Sequence, residues 1–166
     1  MILGISNGIH NSSAALIENG RVMSAVDEER VSRYKRDGRI PVGAVNTVLR
    51  DVDPSEVSRI AVSGVVGASV RRRINRARVN RDGLNPLPLI KACYHGLRQP
   101  ERSDELLEDI AADLAVETPL GSDQRRLMDR MDYIDHHHAH AAGAYFTSGF
   151  DQATILTVDS GGDALS

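Results

Sequence analysis

Four of the chain's six histidines fall between residues 136 and 140, in the run HHHAH. His136 and His140 stand four residues apart. On a helix that spacing puts both imidazoles on one face, within reach of one ion, while His137 and His138 point elsewhere, toward a phosphate or the backbone. Neutral imidazole suits Zn, Fe(II), Ni or Cu, and two ligands make an incomplete site that needs a third. The bland alternative is a polar strand-to-helix junction whose histidines only cap and hydrogen-bond. The small residues Ala141 to Ala144 would let the helix approach a sheet closely.

Three other stretches carry chemistry. In VDSGGD, an apolar run meets Asp159, paired glycines Gly161 and Gly162, and Asp163. Backbone N–H groups in such a loop can approach phosphate oxygens, and the acids can hold a bridging divalent cation; a plain Gly-Gly turn is the rival. In SNGIHNSS, His10 sits in a Gly-containing loop that suits an anion or acid–base work, against a simple hairpin turn. In DEERVSRYKRD, Glu28, Glu29, Arg30, Arg33 and Lys35 could form a salt-linked loop with cations left for a phosphate or carboxylate, but a solvated charge run is the expected reading.

These residues need elements to hold them. Residues 2–6 read as a buried strand, and 12–18 and 21–27 flank Asn19-Gly20, the strongest short hairpin signal. A charged loop follows. Pro41 opens a helix whose apolar face is Val42, Val45, Val48, Leu49 and Val52. Residues 59–63 read as a strand and 65–102 as an irregular excursion. Residues 103–116 form an amphipathic helix, and 123–131 a further helical turn or two. A short strand at 132–135 leads into a helix at 139–148 that Gly149 stops. Residues 153–158 (ATILTV) read as another strand. The unit ILGISNGIHNSS echoes TILTVDSGGDALS, a weak internal repeat.

Composition narrows the class. A chain of 166 residues suits one domain, and its net charge of −3 argues against coating nucleic acid or an anionic membrane. Six arginines crowd residues 71–81 without aromatic interleaving, so a basic loop is expected rather than a nucleic-acid site. Cys93 is the only cysteine, which leaves no intrachain disulfide. With no signal-peptide pattern and no ~20-residue apolar span, a soluble, cytoplasmic protein is expected.

GISNGIHNSSAALIENGRVMSAVDEERVSRYKRD, followed by HHHAHAAGAYFTSGFDQATILTVDSGGD, resembles the O-carbamoyltransferases of nodulation-factor and antibiotic tailoring. The resemblance implies an α/β fold of the actin and sugar-kinase (ribonuclease-H-like) kind, a mixed sheet flanked by helices built from βββαβαβα repeats. Residues 1–150 would be the first repeat, with its excursion at 65–102, and 151–166 the first strand and glycine loop of a second. It implies a metal on His136 and His140, typically iron as Fe(II) or another divalent transition metal. His10 and Lys35 would serve catalysis at the carbamoyl and substrate end of the cleft. Asp159, Gly161 and Gly162 would lie near the nucleotide phosphates, with magnesium as a further candidate there.

The implied reaction takes carbamoyl phosphate and ATP, through carbamoyl adenylate, and passes the carbamoyl group to a hydroxyl of a small molecule. Catalysis would be mainly electrostatic and positional. The chain would be the amino-terminal part of such an enzyme, needing the remaining carbamoyltransferase domains. The rival from another class is a non-catalytic metal- or nucleotide-binding module derived from the same fold. Two motifs depart from the family: His10-Asn11 stands where His-Asp is common, and Asp159-Ser160-Gly161-Gly162-Asp163 where Asp-Gly-x-Gly-Glu is common.

Overall fold

The computed structural model describes residues 1–8, 11–64 and 103–158. Five strands, β1 (Ile2–Asn7), β2 (Ser12–Glu18), β3 (Arg21–Asp27), β4 (Arg59–Gly64) and β5 (Met131–Ile134), form one mixed sheet in the order β3-β2-β1-β4-β5. β2 is antiparallel to both neighbours, while β4 is parallel to β1 and β5 to β4. The chain is therefore an α/β protein in which β1, β3, β4 and β5 run one way.

The opening hairpins follow from local chemistry. Asn19 and Gly20 both take positive φ, 49° and 75°, as a tight two-residue turn requires. Alternation then decides the faces. Leu3, Ile5 and Asn7 of β1 lie opposite Leu16, Ala14 and Ser12 of β2 and Ile60, Val62 and Gly64 of β4, and all nine are buried. Two helices supply the apolar counterpart: α2 (Val42–Val48), with Ala44, Val45 and Val48, and α3 (Ser103–Glu117), with Leu106, Ile110, Ala111 and Leu114. Burying a side chain such as Ile60 contributes roughly 1.5–3 kcal/mol. Truncating it to Ala leaves a cavity as well and costs about 2–5 kcal/mol.

Three expectations need correction. The charged stretch after β3 is not wholly loop, because Glu28–Ser32 forms a short helix, α1, ended by Arg33 at φ 61°. It is a solvated run only in part: Arg30, Arg33, Lys35 and Arg36 are exposed, but Glu28 and Asp37 are buried. Residues 153–158 form no strand and join no ladder among the described residues. An apolar, β-prone run becomes a strand only where it finds a partner edge. The arginine run 71–81 and the excursion 65–102 lie outside the described residues.

Candidate functional site

In a sheet with this order, β1 leads to β2 on one side and β4 leads on to β5 on the other, so the order reverses between the adjacent parallel strands β1 and β4. Ligands of open α/β sheets collect beyond the carboxyl ends of the strands at such a switch. The register aligns those ends, pairing Asn7 with Gly64 and Ser63 with Ile134. β3 ends at the same edge, so α1 and the loop after it start there.

The histidines occupy this edge. After β5 the chain enters helix α5 (His136–Ser148), following the five-residue α4 (Gln124–Met128) that precedes β5. Asp135 caps α5, its carboxylate accepting the His137 and His138 N–H groups at 3.0 and 3.1 Å. The bond from His138 leads in holding the Asp135 carboxyl below its usual range; slight desolvation opposes it, and the His137 bond and both imidazoles add to it. Because this cap starts the helix at His136, three residues earlier than expected, the i, i+4 relation holds. The Nε2 atoms of His136 and His140 stand 3.2 Å apart, with ring planes at 89°.

That separation fits either of two states. One neutral imidazole can donate to the other, the tautomers deciding which. Alternatively both lone pairs can face one ion: two Zn–N bonds of ~2.0–2.1 Å at a tetrahedral angle place the nitrogens ~3.3–3.4 Å apart. Donor type and spacing thus fit a borderline metal. Among the described residues, no group of three or more His, Cys, Asp or Glu gathers to complete a site. His137 Nδ1 is shielded from water without a partner. The expected close seat of α5 is not found: none of its residues is buried, and only some, Ala141 and Tyr145 among them, are half-covered.

The loop carrying Lys35 is built on two buried acids. The Glu28 carboxylate reaches the start of α2 and accepts from the Gly43 and Ala44 N–H groups at 3.3 and 2.7 Å. Asp37, 1% exposed, ties the loop to the β1–β2 turn. Its carbonyl accepts the Ser12 N–H at 2.8 Å and the Ser12 hydroxyl at 3.1 Å. Its carboxylate accepts from Ser32 Oγ at 2.7 Å and from the Arg39 backbone and guanidinium. Burial pushes the Asp37 carboxyl up, but the Arg39 and Ser32 bonds outweigh it and hold it below the usual range. The bond to Asp37 in turn raises Arg39, against the cost of its own burial.

Lys35 itself is exposed, in a turn between Arg33 and the left-handed Arg36. The structure therefore brings the His136–His140 pair, the start of the β1–β2 turn and the Lys35 loop to one sheet edge. His10, Asp159, Gly161 and Gly162 lie outside the described residues. A depression lined by Leu120, Asp123, Arg126 and Arg130 lies before β5, at the opposite edge, and Arg130 is committed there to the Val57 and Leu120 carbonyls.

The model of the family described as Carbamoyltransferase N-terminus matches residues 1–166. The chain belongs to that family. It is 29% identical over 161 residues to Nodulation protein NolNO of Sinorhizobium fredii, covering 95% of this chain and 20% of NolNO. It is 31% identical over 166 residues to the Synechocystis protein sll1178, covering 98% of this chain and 26% of that one. It is 28% identical over 166 residues to protein MJ1051 of Methanocaldococcus jannaschii, covering 23% of it. The chain thus spans about a quarter or less of the length of these relatives. Among the described residues no helix is long and apolar enough to cross a membrane.

Sequence reasoning passed over Asn7 and Asp37. Asn7 continues the Leu3, Ile5 alternation as a polar residue on the core face, and that pattern was there to be read. Asp37 gave less away, since nothing in a run of mixed charge marks which acid folds inward.

Proposed function

We propose that the chain is the amino-terminal part of an enzyme that moves a carbamoyl group from carbamoyl phosphate, through carbamoyl adenylate made with ATP, to a hydroxyl of a small molecule. The observation that carries the reading is the match of the carbamoyltransferase family across the whole chain. The convergent His136–His140 pair and the sheet order, with only β2 reversed, support it. That order is the one expected of the first actin-like repeat.

In the transfer, the acceptor oxygen bonds to the carbamoyl carbon, the bond from that carbon to the adenylate phosphate oxygen breaks, and the hydroxyl proton passes to a base. In this reading Lys35, on a loop pinned by Asp37, offers its ammonium to the departing phosphate charge, and His10 serves the carbamoyl and substrate end of the cleft. His136 and His140 would hold a divalent transition metal such as Fe(II), whose chemistry when bound would be that of a Lewis acid. Asp159, Gly161 and Gly162 serve the nucleotide phosphates, with magnesium there. The remaining carbamoyltransferase domains complete the enzyme.

The test is metal titration of the chain beside four single His→Ala variants, followed by calorimetry. The expected result is loss of binding concentrated in His136→Ala and His140→Ala, with modest affinity that falls on acidification because protons compete for the imidazole lone pairs. Equal losses at all four positions, or no binding anywhere, overturn the metal assignment. Carbamoyl-dependent ATP turnover is expected only when the remaining domains are supplied; its absence in that complete enzyme overturns the reaction.

A further inference from the structure

Asn7 is the one described residue whose side-chain nitrogen and oxygen are both buried without a hydrogen-bond partner. It is 1% exposed and closes β1 on the core face, after Leu3 and Ile5. Such an amide, shielded and unpaired, costs far more than a leucine of similar size at the same place. Its own carbonyl lies 2.8 Å from where a Cβ on Gly64 would stand, so β1 and β4 approach closely here. The Gly64 carbonyl accepts Tyr133 Oη at 3.1 Å and the Ser12 hydroxyl donates to the Asp37 carbonyl, and neither bonds to the Asn7 amide. Among the described residues no group answers this amide, at the strand-order switch where ligands of such sheets bind.

The chemistry of a carboxamide narrows that partner. It offers an acceptor and a donor side by side in one plane, and the group that answers both is another amide-type group. Resting on the carbamoyl reading above, we infer that Asn7 is a specificity-determining residue for the carbamoyl group: its Oδ1 accepts from the carbamoyl NH2, and its Nδ2 donates to the carbamoyl oxygen. A buried amide rejects an analogue that lacks one half of the pair, because the unanswered atom keeps its full desolvation cost.

The experiment compares the full chain with Asn7→Leu, using carbamoyl phosphate, acetyl phosphate and inorganic phosphate as probes in calorimetry. Wild type is expected to prefer carbamoyl phosphate to acetyl phosphate by about 10-fold or more, since a methyl replaces the NH2. Asn7→Leu is expected to melt a few degrees higher, freed of its unpaired amide, while losing about 10- to 100-fold in carbamoyl phosphate affinity. In parallel, the Asn7 side-chain NH2 resonances of the wild type are expected to shift with carbamoyl phosphate and not with phosphate, a readout independent of how the variant folds. Unchanged affinity in Asn7→Leu, or unmoved Asn7 resonances while carbamoyl phosphate binds, overturns the inference and leaves the carbamoyl reading standing; a buried water is then the partner. Failure of the wild-type chain to bind carbamoyl phosphate at all also overturns the inference, while the carbamoyl reading is decided separately by turnover of the complete enzyme.

Discussion

At the scale of single residues, the site edge depends on where charge is buried. Asp37 joins the Lys35 loop to the first residue of β2, and its carboxylate is satisfied by Ser32 and Arg39. Removing the Arg39 guanidinium leaves that buried carboxylate with only the Ser32 hydroxyl and the backbone N–H of residue 39, so Arg39→Ala is expected to cost about 1–3 kcal/mol by chemical denaturation. The pH dependence has a definite sign. The folded Asp37 carboxyl lies below its unfolded value, so its contribution is present above ~3.9 and is lost as pH falls through the folded value. Asp37→Asn is therefore expected to be less stable than wild type near neutral pH, with the gap narrowing below about pH 4. A gap that persists unchanged into acid would mean the carboxylate's charge contributes nothing.

At the scale of elements, α2 is short and lacks a side-chain cap of its own; Pro41 precedes it, and Glu28 reaches across from α1 to take two of its free N–H groups. Glu28→Ala is expected to cost about 1–2 kcal/mol, the range of a lost cap. Gly43 belongs to the same device. A Cβ there would stand 2.8 Å from Glu28 Oε1 and 3.0 Å from Val31 Cγ1, so Gly43→Ala displaces the carboxylate and forfeits the same bonds. The two changes are therefore expected to be strongly non-additive in a double-mutant cycle. Additive costs would show that Gly43 matters for another reason.

The same elements show how much was legible beforehand. β1 to β4 and α3 could be read because alternation, Asn19-Gly20 and a periodic apolar face are local signals. α1 could not, since its five residues are too few for a periodic apolar face, and Glu28 bonds to α2, distant in sequence. The start of α5 was missed by three residues because histidine is a modest helix former, and it is the Asp135 cap that turns HHH into a first turn. The convergence of His136 with His140 was legible, while the buried anchors around it needed tertiary contacts to be seen.

At the scale of the whole molecule, one side remains uncovered. α5 buries none of its residues, Phe146 and Phe150 stand out from its end, and Leu156 and Val158 are over four-fifths exposed. Residues 153–158 are mostly apolar and uncharged, with backbone groups that join no ladder among the described residues. Such a segment pairs with whatever edge is offered. In relatives four to five times this length, further polypeptide is at hand to offer one. The pure 166-residue chain is left with itself, so concentration-dependent self-association is expected in sedimentation velocity. Leu156→Lys with Val158→Lys places charge on the segment without touching the core of β1 to β5, and is expected to return the chain to a monomer with an unchanged melting temperature. Adding the remaining carbamoyltransferase domains as a separate polypeptide is expected to compete with self-association in the wild type and to bind the double variant more weakly. A wild-type chain that stays monomeric at high micromolar concentration, or a double variant that associates as before, would place the contact surface elsewhere than residues 153–158.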